Sequence, residues 1–248
     1  MKAIYLDCFS GISGNMLLGA FLQAGVPLAH LREELAKLHL HEAYELRSSE
    51  VSKNGIAAVY VEVLEEEKHH AEHSSEHHHR SWQSICKLIV ESELSEHVKA
   101  QSCEIFESLA IAEGKVHNRP KEEVAFHEVG ALDSIVDIVG AAICLEYLKV
   151  KKIMVSAVNT GTGFVHCAHG LMPVPAPATA ELLMDFPTYH KGAARELATP
   201  TGAAFLKSLA DYEENLPLGF KAESISYGAG TWDLEIPNVL RMYLGNFQ

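Results

Sequence analysis

The stretch Lys2-Ala3-Ile4-Tyr5-Leu6-Asp7-Cys8-Phe9-Ser10-Gly11-Ile12-Ser13-Gly14-Asn15 decides the fold class. Residues 3–8 read as a short apolar strand and 11–14 as a turn. Residues 15–24 read as a helix that buries Leu17, Leu18, Phe21 and Leu22. A strand turning through glycines into a helix is the building unit of layered α/β proteins. The glycines allow close backbone approach, and Ser10 and Ser13 add hydroxyl donors, a pattern suited to a phosphate. No lysine and Ser/Thr pair follows the second glycine, so this is not a Walker A loop. A tight turn capped by Ser13 or Asn15 fits the residues as well. Asp7 ends the strand, the usual place for a functional carboxylate in α/β proteins.

Working outward, Pro27 opens a second helix that runs to residue 38. Residues 45–47 and 57–64 read as strands around the hairpin turn Lys53-Asn54-Gly55. Two helices are expected over 82–112 and a strongly apolar one over 134–148. A strand follows at 152–158, and a second runs into His166. Helices over 178–184 and 203–210 precede closing strands at 224–227 and 239–244. Strands and helices interleave throughout, which predicts an α/β (mixed α+β) fold, a layered mixed sheet with flanking helices. Three stretches are expected. Residues 1–64 form an N-terminal α/β block and 65–80 a His-rich disordered loop. Residues 81–248 form a helical and α/β block packed with the first as one core.

The net charge of -13, with histidine counted neutral, argues against nucleic acid or an anionic membrane as partner. The five cysteines are scattered and never form a C-x-x-C pair, the usage of a reduced compartment. The N-terminus lacks a signal-peptide pattern and no apolar run reaches the length of a membrane span, so a cytoplasmic protein is expected.

Four stretches carry chemistry. The first, His127-Glu128-Val129-Gly130-Ala131-Leu132-Asp133-Ser134-Ile135-Val136-Asp137, places an imidazole and three carboxylates just ahead of a helix. Asp133 and Asp137 are four apart, hence one above the other on a helix, where like charges repel unless a cation sits between. Asp133 as a helix cap is the bland alternative, but capping needs neither His127 nor Glu128. The second, His166-Cys167-Ala168-His169, offers ligands suited to nickel, zinc or copper. On a strand Cys167 faces away from His166, so the three converge only in a turn. The third is the run with His69, His70, His73, His77, His78 and His79, which suits capture of Ni²⁺, Zn²⁺ or Cu²⁺ for storage or delivery, since a mobile loop cannot preorganise catalysis, and which reads equally as a solvated linker. The fourth combines Gly161-Thr162-Gly163 with Thr199-Pro200-Thr201-Gly202. These are turn and cap signals whose hydroxyls, beside Arg241, could hold a phosphate or carboxylate. Arg241 serves equally well as an ordinary ion pair.

Taken together, DCFSGISGNM from Asp7, FHEVGALDSIVDIVG from Phe126 and NTGTGFVHCAHGLMPVPAPATAELL from Asn159 resemble the LarC family of nickel-insertion proteins. ELATPTGAA from Glu196 and YGAGTWDLEIPNVLRM from Tyr227 complete the resemblance. It implies insertion of nickel into a pyridinium bis-thiocarboxylate mononucleotide, making the nickel-pincer cofactor of lactate racemase with CTP, a lyase-class activity. It implies catalytic or acid/base roles for His127, Glu128 and Asp133, and metal handling by Asp137, His166, His169 and the histidine run. Asp7, Ser10, Ser13, Thr162, Thr199 and Thr201 become candidates for the substrate's phosphate or carboxylates. It further implies Ni²⁺, with Mg²⁺ or Mn²⁺ accompanying CTP on a C-terminal part, in cis or trans, that lies beyond this chain. The lactate racemase apoprotein and a homo-oligomer are the expected partners. Family members usually carry an acidic residue where this chain has Asn15, which removes one charge from the loop. Two alternatives are a nickel-binding storage module without chemistry and, more distantly, a metal-dependent phosphohydrolase using Asp7, Asp133 and Asp137.

Overall fold

The computed structural model describes residues 1–65, 80–126, 132–167 and 170–247. In chain order the elements begin with β1 (Lys2–Asp7), α1 (Gly14–Gln23), α2 (Leu28–Ala36), β2 (Tyr44–Lys53) and β3 (Ile56–Glu65). Then come β4 (Arg80–Ser81), α3 (Trp82–Glu91), α4 (Glu96–His117), β5 (Ala125–Phe126) and α5 (Leu132–Leu148). β6 (Lys152–Val155), β7 (Val158–Asn159), β8 (Phe164–Cys167), β9 (Gly170–Pro173) and α6 (Pro177–Leu182) follow. The chain continues through β10 (Thr188–Tyr189), α7 (Pro200–Leu209), β11 (Ala210–Tyr212), β12 (Phe220–Ala229) and β13 (Val239–Phe247).

The main sheet has seven strands in the order β11-β6-β1-β13-β12-β3-β2. It is mixed: β1 runs parallel to β6 and antiparallel to β13, and β12 meets β3 in parallel at Gly228 and Val59. The fold class is therefore the mixed α/β arrangement that the sequence predicts. Alternation along β1 explains the layering. Ile4 and Leu6 enter the large core beneath the helices, while Ala3 and Tyr5 enter a small cluster with Met154. The same large core takes in Phe21 of α1, Phe106 of α4, Ile135 of α5 and Phe205 of α7.

Several expectations shift in detail. The strand expected over 152–158 breaks after Val155, because Ser156 turns to accept a hydrogen bond from the Cys8 amide (2.9 Å). Val158 then pairs with the β10 segment instead of the main sheet. α4 runs to His117, beyond the expected 112, and ends where Asn118 takes a left-handed conformation. The strands expected to close the chain lie in the middle of the sheet, β13 beside β1, since chain order does not dictate strand order. Cys86 and Cys103, distant in sequence, share a thiol hydrogen bond that pushes the Cys86 pKa up and holds that of Cys103 down. The expected His-rich loop, from His69 to His79, lies outside the described residues. No described helix is long and apolar enough to cross a membrane.

One buried amide ties three distant stretches together. Asn159, only 1% exposed, donates through Nδ2 to the carbonyls of Phe9 and Lys191 (2.9 Å each). Its Oδ1 accepts from the amides of Gly161 (3.2 Å) and Lys191 (3.1 Å). The backbone continues the stitching: Leu197 N–H donates to Thr160 (3.1 Å), and Ile12 N–H to Leu197 (3.0 Å). Thr199 N–H returns to Ile12 (3.0 Å), so residues 193–199 lie laced between the 159–162 and 8–12 loops. Gly161, at φ +78°, is required there, because a Cβ would sit 1.9 Å from the Arg195 carbonyl oxygen.

Removing the amide takes partners from the carbonyls of Phe9 and Lys191 and the amides of Gly161 and Lys191, a loss on all three stretches. Asn159→Ala is expected to lose about 3 kcal/mol of stability. Thermal unfolding should show the midpoint falling by roughly 6–12 °C for a chain of this size; an unchanged midpoint would refute the knot's importance.

Candidate functional site

Three helix N-termini meet at one cleft. Ser13, Gly14 and Asn15 begin α1, Asp133, Ser134 and Asp137 come from the first turns of α5, and Thr199 and Thr201 lie at the start of α7. The positive ends of three helix dipoles thus face a common space. The knot around Asn159 explains why. It pins the loop before α1 to the segment before α7, and α5 packs against α1 along its length.

The cleft has two lobes of ≈ 430 Å³ and ≈ 470 Å³ that share Ser13, Asn15, Thr199 and Thr231 as a common wall. The first lobe is acidic: Asp133, Asp137 and Glu62 line it together with Tyr60. The second carries Arg195, Trp232, Phe164 and His166.

Asp137 is the unusual group. The residue keeps some solvent contact, yet its carboxyl is packed among protein atoms against the start of α1. A Cβ on Gly14 would stand 2.2 Å from its Oδ2, so only glycine lets the two helices approach this closely. Burial, and secondarily the Asp133 charge, push the Asp137 pKa well above the usual carboxylate range. Asp133 itself is exposed, its Oδ1 accepting from the Ser134 amide at 2.7 Å. Asp133 lies inside the first turn of α5, where its carboxylate bonds the next amide, and Asp137, one turn on, lines the same cleft.

Of the other candidates from the sequence, Ser13, Thr199 and Thr201 line the acidic lobe. Thr199 also caps α7, accepting from Gly202 N–H at 3.3 Å, and the Ser13 hydroxyl donates to Asn15 Oδ1. His166 lines the second lobe from β8, where it is exposed while Cys167 is half-buried, as alternation along a strand requires. Ser10 is fully buried and accepts from Asn238 Nδ2 (3.4 Å). The Thr162 hydroxyl donates to the Ala193 carbonyl at 2.9 Å. Asp7 forms an ion pair with Arg241, its register partner across β1 and β13. None of these four lines the cleft. His127, Glu128, His169 and the histidine run lie outside the described residues. Among the described ones, no three His, Cys, Asp or Glu side chains are grouped to hold a metal ion.

The family model described as "Nickel insertion protein" matches residues 4–248. The chain belongs to that family. It is 49% identical to a Clostridium kluyveri protein named pyridinium-3,5-bisthiocarboxylic acid mononucleotide nickel insertion protein, over 99% of this chain and 62% of that one. A Thermotoga petrophila protein of the same name is 49% identical, over 98% of this chain and 61% of its own length. One from Geobacillus kaustophilus is 48% identical, over 99% and 60%. The chain thus spans about three fifths of the length of these family relatives. No solved structure matches it.

The lining of the cleft adds Arg195, Trp232, Thr231 and Glu62, which the sequence does not single out. Trp232 and Thr231 stood inside the quoted YGAGTWDLEIPNVLRM stretch, and Arg195 directly precedes ELATPTGAA. A lone arginine or tryptophan in a loop carries no spacing signal.

Because the folded-state pKa of Asp137 is raised, its ionised form is disfavoured by the fold. The native state carries no penalty below the unfolded-state pKa of about 3.9. It loses stability as pH rises from there through the folded-state pKa. Asp137→Asn is therefore expected to raise the metal-free unfolding midpoint by a few degrees at pH 8 and by less at pH 4. Equal midpoints at pH 8 would show that the carboxylate is not penalised.

Proposed function

We propose that this chain holds the substrate in an enzyme that inserts nickel into pyridinium-3,5-bisthiocarboxylic acid mononucleotide. The observation that carries the reading is the cleft itself, where a buried and an exposed carboxylate face three helix N-termini. The names of the relatives support the substrate, each over about three fifths of its length. Nickel is a substrate here, gathered by an acidic surface and handed to a ligand that holds it more tightly.

In this reading Asp133 and Asp137 receive Ni²⁺ at the mouth of the cleft. The cation displaces the proton that Asp137 otherwise retains. The substrate's two sulfurs then take over the metal. Formation of the nickel–carbon bond breaks a ring carbon–hydrogen bond, and the proton goes to a base. His127 and Glu128, a few positions ahead of α5, are proposed for that role. His166 in the neighbouring lobe and His169 are proposed to ligate nickel in transit, with the histidine run as its capture device. Asn15 and Met16 directly follow the Gly11–Gly14 loop, without the lysine of a triphosphate-binding loop. CTP, with its Mg²⁺ or Mn²⁺, is proposed to bind the further part that the relatives contain. The lyase class, a CTP-binding part in cis or trans, delivery to the lactate racemase apoprotein, a cytoplasmic location and a homo-oligomeric state belong to the same proposal.

The test is nickel incorporation into the bis-thiocarboxylate mononucleotide, with CTP, by this chain alone and together with the further part that its relatives contain. Product is expected with both parts present, and Asp137→Asn should lower its rate at least tenfold while the protein stays folded. The wild-type rate should rise with pH, because nickel and a proton compete for Asp137. Nickel bound without product in either case would favour the storage reading.

A further inference from the structure

The second lobe of the cleft differs in charge from the first, and its parts are rigidly mounted. Arg195 stands on the laced segment, its backbone carbonyl packed on Gly161 and its guanidinium 5.0 Å from the centre of the Trp232 ring. Trp232 is held from two sides. Its amide donates to Asn238 Oδ1 at 3.0 Å, and its carbonyl accepts from Lys53 Nζ at 3.1 Å. Asn54 extends that clamp to the carbonyls of Leu234 and Glu235. Lys53 also takes up the neighbouring Asp233 (2.7 Å). Among the described residues Arg195 has no carboxylate within ion-pair distance. Among the described lining residues the one carboxylate is Glu196, and its Oε1 is buried in the wall.

Exposed aromatic rings are costly to leave in water and useful where a flat ligand docks. Phe164 is 64% exposed and Trp232 43%, and both face this lobe. A guanidinium without a carboxylate partner, stacked and held, suits a phosphate. The N-termini of α1 and α7, through Ser13 and Thr199, border this lobe too, whereas the aspartates of α5 border only the other.

We infer that the Arg195–Trp232 lobe is the phosphate subsite for a pyridinium mononucleotide, and that it sets the direction in which the substrate lies. The inference rests on the nickel-insertion reading for the identity of the substrate. The geometry follows from charge. The phosphate, carrying about two negative charges, is repelled from Asp133, Asp137 and Glu62 more strongly than the other end, where the ring charge offsets one of the two thiocarboxylates, and it is drawn to Arg195; the metal-accepting end therefore points into the acidic lobe. The two lobes together offer the volume that a ligand of this size requires. Arg195 is then a specificity-determining residue that distinguishes the nucleotide from its dephosphorylated nucleoside.

The probe is nicotinic acid mononucleotide beside nicotinic acid riboside, their binding to the whole chain measured by calorimetry. Wild type is expected to prefer the mononucleotide by at least tenfold. Arg195→Gln should abolish that preference while riboside affinity stays within about twofold, and Arg195→Lys should restore part of it. Asp137→Asn should keep the preference. Trp232→Leu should weaken both ligands. Equal binding of the two ligands by wild type, or an undiminished preference in Arg195→Gln with an unchanged unfolding midpoint, would overturn the subsite. An Arg195-dependent preference without any nickel incorporation would uphold the subsite and overturn the nickel-insertion reading. Nickel incorporation with no phosphate preference would do the reverse.

Discussion

The carboxamide of Asn159 is the interaction on which the site depends. It uses both hydrogens and both lone-pair directions, and no water reaches it to take over a lost bond. Together with backbone bonds such as Asn159 N–H to Cys8 and Thr160 N–H to Tyr189, it joins three loops far apart in the chain. Each is rich in backbone groups that need partners once buried, and a single planar amide supplies four bonds at fixed angles. Once the loops are joined, the segment before α7 can bond on both of its edges. The N-termini of α1 and α7 then fall beside one another.

That convergence creates an electrostatic tension that α5 exploits. Helix dipoles favour an anion where the N-termini meet, and α5 supplies Asp133 and Asp137 there. Burial opposes the charge on Asp137 strongly enough to push its pKa up despite the helix ends nearby. A site that is costly when empty and relieved by a cation is the expected signature of a functional carboxylate pair. Gly14 makes the arrangement sterically possible, since α1 and α5 touch where a side chain would otherwise intervene.

Charge separation across the cleft follows from which elements reach each lobe. β3 and α5 bring carboxylates to one lobe. The laced segment and the 230–238 loop bring an arginine and a tryptophan to the other. The two sets share only polar, uncharged residues of the common wall, which lets a long ligand span them without crossing a charged barrier. The β2–β3 turn, far away in sequence, holds the Trp232 loop through Lys53 and Asn54.

Periodicity and turn chemistry alone determined the mixed α/β class, the strand–loop–helix opening, the Asn54-Gly55 hairpin and the position of the apolar α5. These depend on contacts between near neighbours, which leave a pattern in the chain. The motifs around Asp133, Asp137, Ser13 and Thr199 were legible for the same reason, since each combines a helix start with polar residues at short spacing. Tertiary structure alone decided the rest. It placed the last two strands at the centre of the sheet, and it turned Asp7 toward Arg241 and Ser10 into the interior. It also set Arg195 against Trp232, 37 residues away in the chain and without any local signature. The physical reason is that a cleft is made by long-range pairing: its residues become neighbours only after Asn159 and the strand order have brought their backbones together.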